Sequence, residues 1–154
     1  MTLWDWAASA YAAPGVAEAC LHLQDAADQN VPLLLWAAWC TRAGRPLDTD
    51  TIEAGCDTAR AWNDAAIGPL RSVRRTLKTP LVDIETADRE AVREAVKALE
   101  LDCERRLLST LERLSAPPSG QPGDVLAALV AVSRGWSRMI PRAGLTDLAE
   151  RLPA

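Results

Sequence analysis

Phenylalanine is absent from this 154-residue chain, and histidine and tyrosine occur once each. A single histidine leaves little for paired acid and base work, and no G-x-G-x-x-G, P-loop, G-x-S-x-G or H-E-x-x-H pattern occurs, so the reading leans away from an enzyme and assigns no catalytic residue. Long apolar runs are missing too. The longest, Val31 to Cys40, is about half the roughly 20 residues that a spanning helix needs, which predicts no membrane span. The opening stretch, MTLWDWAASAYAAPG, holds Asp5 but no Lys or Arg, so it lacks the basic region of a secretory signal and a cytoplasmic location is expected.

Cysteine is present without a pattern. Cys20, Cys40, Cys56 and Cys103 form no C-x-x-C pair, which argues against a zinc ribbon or a thioredoxin-type site, and each falls on the apolar side of a helical repeat, as a packed thiol does. The one histidine, His22, stands two residues from Cys20; on a helix that separation turns the side chains about 200° apart, so the two cannot share an ion. His22 is expected at the surface, and neither metal nor cofactor is expected.

What is abundant is Ala and Leu, with few β-branched residues and six tryptophans as nearly the only aromatic bulk. That composition favours helix, with Trp filling gaps between small side chains. Thr2 can cap a first helix that Pro14-Gly15 ends, with Trp4, Trp6, Ala7, Ala8, Ala10 and Tyr11 covered; a second is expected near Val16 to Asp28. Asn30 can cap a third, Pro32 suits its first turn, and Gly44 with Pro46 stops it. Its residues are apolar on every side, so Val31–Ala43 is predicted as the central helix of the fold.

Asp50 with Glu53 resembles a capping box, and Ile52, Cys56, Ala59, Trp62, Ala66, Leu70, Val73 and Leu77 then step by three or four. Gly68-Pro69 interrupts the pattern without breaking its phase, which predicts a kink or a tight corner. The longest helix is expected from Thr86 to Leu114 with Val92, Val96, Leu99, Cys103, Leu107, Leu111 and Leu114 inward. After the loop SAPPSGQPG, one helix starts at Asp124 and a last one lies around Asp147 to Leu152. Altogether the sequence predicts an all-α, compact bundle of six to seven helices forming a single domain over residues 1–154.

Charge is distributed unevenly. Residues 1–69 hold three basic and nine acidic groups, whereas PLRSVRRTLK, Pro69 to Lys78, holds four cations and no anion. On a helix Arg71, Arg74, Arg75 and Lys78 fall on one face, with Leu70, Val73 and Leu77 on the other. Three uses compete for this stripe. It could lie against acids of the long helix, such as Glu90, Glu94, Glu100 or Glu104, as a surface ion-pair lattice. It could dock an acidic protein surface through forked guanidinium–carboxylate pairs, or a second copy of the chain in a homodimer. A phosphate-bearing partner is disfavoured, because the acidic remainder repels nucleic acid.

Several segments resemble a known group. LWDWA (Leu3 to Ala7), PGVAEACLHLQD (Pro14 to Asp25), NVPLLLWAAW (Asn30 to Trp39), Gly44, Trp62 and PLRSVRRTLK are similar, in order and spacing, to a small proteobacterial family classed as a domain of unknown function. The resemblance runs from Leu3 to Leu114 and departs from the family pattern at Pro32, where a polar residue is usual; it implies a family-like core over 1–115, with 116–154 as a C-terminal helical extension. It implies a bacterial, cytosolic helical protein without an established activity, and brings no catalytic residues. Because it includes the basic stretch, the residues assigned to partner binding are Arg71, Arg74, Arg75 and Lys78, in a non-enzymatic interaction module. The rival is a small-ligand binder or enzyme using a pocket of Trp4, Trp36, Trp39 and Trp62 between the first, third and fourth helices, although each Trp also lands on an inward phase where core filling explains it.

Overall fold

A computed structural model describes residues 1–154 and is all-α, without strands. The helices are α1 (Leu3–Tyr11), α2 (Val16–Ala27), α3 (Val31–Arg42), α4 (Thr49–Trp62), α5 (Gly68–Thr76), α6 (Thr86–Leu114), α7 (Val125–Trp136) and α8 (Arg142–Arg151). A π-helical turn, Asn63–Ile67, joins α4 to α5 without a break, so the chain forms seven rods. No helix is long and apolar enough to cross a membrane.

Side-chain caps set most of the starts. Thr2, Asn30, Asp48 and Asp124 each accept a hydrogen bond from the backbone N–H three residues on, satisfying a donor that has no partner inside its helix. The cap of α4 is therefore Asp48 rather than Asp50, and α8 begins earlier than expected, at Arg142.

Helix α3 is the central rod. Every residue from Val31 to Cys40 is buried, because α1, α2, α4, α6 and α7 all pack on it. Trp36 is fully enclosed; its indole N–H donates to Ser115 Oγ at 2.7 Å, and that hydroxyl donates to the Leu111 carbonyl, so the one polar edge of the ring is satisfied. The opposite face presses on α4 at Gly55, where an added Cβ would lie 2.5 Å from the ring. Beyond the long loop, α7 and α8 close the far side with Leu129, Val132, Leu145 and Leu148, all without exposure. The extension is thus part of the same core.

The joint between α4 and α5 differs in kind from a simple kink. Pro69 has no N–H to donate, and Gly68 N–H reaches back five residues to the Asn63 carbonyl, the widened ring of a π-turn. A side chain at 68 would strike that carbonyl, its Cβ 2.7 Å from the oxygen, which is why glycine stands there. One extra residue per turn rotates everything downstream by about 100°. The inward series accordingly reads Cys56, Ala59, Ile67, Arg71, Arg74 instead of passing through Ala66, Leu70, Val73 and Leu77.

Helix α6 has 29 residues against 14 or fewer in every other helix. At 1.5 Å per residue it outruns the bundle, and only α5 lies along its first half. Val92 and Leu99, expected inward, are therefore about half exposed, at 52% and 50%, while Cys103, Leu107 and Leu111 are buried where the bundle surrounds them.

Candidate functional site

The four cations of the basic run do not share one fate. Arg74 donates from Nε to Glu100 Oε2 at 2.7 Å and from Nη2 to Oε1 at 3.3 Å, a forked pair that raises its own pKa through the hydrogen bond. Arg71 donates from Nε to the same Glu100 at 3.3 Å and faces Glu104 at 3.7 Å. Arg75 reaches Asp25 of α2 at 2.9 Å, with both side chains more than half exposed. Lys78 lies past the end of α5, in the turn, and meets no carboxylate within ion-pair distance.

Three of the four residues assigned to partner binding, Arg71, Arg74 and Arg75, thus already have partners within the chain. The stripe is helical, as its spacing predicts, but the π-turn points its centre inward onto α6, and internal acids occupy three of its four heads. The apolar side is split: Leu70 packs partly buried against the core, whereas Val73 is 45% exposed, and no residue of α5 is fully buried. Of the acids expected opposite, Glu100 and Glu104 are used, whereas Glu94 pairs with Lys97 and Glu90 with Arg89. Arg89, which the sequence did not single out, is buried and donates to the Leu77 carbonyl at 2.7 Å, closing the C-terminal end of α5.

On the other side of this ionic wall lies a groove of about 480 Å³, within the size range of small-molecule sites. Its floor is α3 through Val31, Pro32 and Leu35; α1 contributes Trp4, Ala8 and Tyr11; α2 contributes Cys20, Leu21 and Gln24; α6 contributes Lys97, Leu101 and Glu104. Ala8 and Tyr11, expected to be covered, face this space. Of the four tryptophans proposed for a pocket, only Trp4 lines it, its ring stacked under the Arg105 guanidinium at 5.0 Å. Trp36 is core. Trp39 is buried beneath Arg45, and Trp62 packs partly buried against the core, so the pocket sits between α1, α2, α3 and α6 rather than beside α4.

The groove's ionisable groups are unevenly satisfied. Glu100 receives three guanidinium hydrogen bonds. Glu104 receives none, and Arg71 approaches it only at 3.7 Å. Burial outweighs that attraction, and its carboxyl is pushed up to about 6, with Glu100 adding repulsion. Tyr11 is raised as well, first by burial and then by Cys20 and the carboxylates of Glu104, Asp25 and Glu18. Burial lifts the Cys20 thiol to about 12, leaving it protonated and poorly nucleophilic at neutral pH.

Elsewhere the side chains offer less. All four cysteines are separate buried thiols, and no three His, Cys, Asp or Glu side chains cluster as a metal ion would require. His22 is exposed in a shallow recess with Glu18, Asp147 and Arg151, away from the groove. Behind Glu104 a polar recess with room for about one water touches Asp28, Asn63 and Arg71 beside the π-turn.

No curated protein and no solved structure matches the chain. Residues 2–111, from α1 to near the end of α6, match the family described as "protein of unknown function (DUF2390)", so the basic run, its acidic partners and the whole groove fall inside the shared segment, and the chain belongs to that family.

Proposed function

We propose that this domain is a non-enzymatic binding module whose groove between α1, α2, α3 and α6 takes a small molecule with an apolar body. The observation that carries the reading is the groove itself: a space of about 480 Å³ with an apolar floor on the central helix and a few polar groups, Tyr11, Gln24 and Glu104, placed along its walls. A docking face on the basic stripe has weaker support, since an acidic partner would have to displace Glu100, Glu104 and Asp25 from Arg71, Arg74 and Arg75. Catalysis has one point in its favour, a carboxyl at about 6, the range of general acids and bases. Against it, the one thiol in the groove, Cys20, is held protonated by burial. Separate buried thiols suit the reducing bacterial cytosol that the family resemblance implies.

The test is a titration with 1-octanol, a neutral apolar probe, followed through backbone amide shifts. Shifts confined to Ala7, Ala8, Tyr11, Leu21 and Leu101 are expected. The variant Ala8→Trp, at an exposed wall position, should abolish them while leaving the melting temperature within a few degrees. No shifts at these residues, or shifts that persist in the filled variant, would refute the proposal.

A further inference from the structure

The groove's charge pattern points to what its ligand carries. Among the charged groups on its walls, Arg74 is bound to Glu100 and Lys97 to Glu94, so neither offers an uncommitted charge. Glu104 is different. Its carboxylate stands on the apolar wall of α6 with no hydrogen bond from any donor and one guanidinium 3.7 Å away. A carboxylate that is largely covered, its side chain 27% exposed, and has no protein donor is costly, and a ligand that brings a cationic N–H donor relieves that cost on binding. The opposite wall brings no cation to Glu104: α1 and α2 line the groove with Trp4, Ala8, Tyr11, Leu21 and Gln24, without Lys or Arg.

We propose that the groove selects a protonated amine carried on an apolar body, its ammonium group seated against the Glu104 carboxylate on the Tyr11 side and its body along Val31, Pro32 and Leu35. This rests on the groove reading above. An anionic amphiphile would bring a second negative charge against the Glu104 carboxylate. A neutral one would leave Glu104 without a donor.

The groups that face Glu104 are Arg71 and Arg74 from α5, Glu100 from its own helix, Tyr11 from α1 and Asp28 at the end of α2; α3 presents only uncharged Val31, Pro32 and Leu35. An alkylammonium stays charged throughout the neutral and mildly acidic range, as lysine does. The amine's affinity should therefore fall as the pH drops through about 6, where Glu104 takes up a proton.

Three probes of equal chain length separate the possibilities: 1-octylamine, 1-octanol and octanoate, each titrated into the full chain and into Glu104→Gln, with amide shifts as the readout. Octylamine is expected to bind roughly tenfold or more tightly than octanol, and octanoate more weakly than either. Glu104→Gln should bring octylamine down to the octanol level without changing octanol. Octanoate binding as tightly as octylamine, or octylamine unaffected by Glu104→Gln or by acidification, overturns the amine assignment while the groove stands. Absence of groove shifts with all three probes overturns the groove reading, and the amine with it.

Discussion

The end of the molecule built on α3, α7 and α8 and the arm built from α5 and the first half of α6 are held together by opposite means. At the first, side chains such as Leu129, Leu145 and Trp36 are wholly enclosed, and the enclosed Ser133 hydroxyl donates to Gln29 at 2.7 Å. At the second, α5 buries no residue, and its hold on α6 is Arg71 and Arg74 around Glu100 together with Arg89 beneath the last carbonyls. Apolar contact is insensitive to which partner supplies it. Ion pairs are specific and respond to salt and pH. One region provides the stability, and the other sets one wall of the groove and can be adjusted without melting the rest.

The sharpest way to break that contrast is at Trp36. Truncating it to alanine should cost about 3–5 kcal/mol, since the large ring leaves a cavity and the Ser115 hydroxyl loses the hydrogen bond it accepts, and unfolding should remain a single transition in denaturant melts. Glu100→Gln is expected to cost less, about 2 kcal/mol, discounted from the about 3–5 of a fully buried pair because the guanidinium groups keep some water. The loss should be local: hydrogen exchange would show α5 amides losing protection while those of α3 keep theirs. The exposed Arg75–Asp25 pair serves as control, with Arg75→Ala within about 0.5 kcal/mol of the parent. Equal loss of protection in α3 and α5 on replacing Glu100 would erase the distinction between the two regions.

The smallest expected effect is the most informative about the groove. Glu104 is an acid whose carboxyl is raised in the fold from its ordinary 4.5 to about 6, so the folded chain holds its proton over a range where the unfolded chain has released it. That group's contribution favours folding below about 4.5 and is lost as pH rises to about 6. Glu104→Gln should therefore raise the melting temperature at pH 7, and the gain should vanish on acidification. A carboxylate that weakens its own fold at neutral pH is what a binding group held ready for a cation looks like.

How much of this could be read from the residues alone depends on how local the cause is. Asn30, Pro32 and the all-round apolar run specify α3 within a dozen positions, and helical caps and proline-glycine stops place most of the other rods. The family resemblance was legible in short segments, and the matched residues 2–111 contain them all. What escaped was set by distance in sequence or by a break in phase. The stripe's spacing is correct, but its direction depends on the π-turn, and its partners stand 26 and 29 residues away on α6. Trp4 and Trp36 share the same periodic signature, and only the helices around them decide that one borders a groove and the other is enclosed. Val92 and Leu99 of α6 are exposed because the helices that enclose Leu107 and Leu111 do not reach them, which no repeat within α6 announces.

The single additional residue between Trp62 and Gly68 works as a rotary setting for everything beyond it. Were the turn shortened by one position, ordinary helical winding would swing Leu70 and Val73 onto α6 and turn the guanidinium groups to solvent, freeing Glu100 and Glu104 together. Insertion or deletion at this one joint would thereby exchange a domain that stores its positive charge internally for one that displays it, with no change in composition elsewhere.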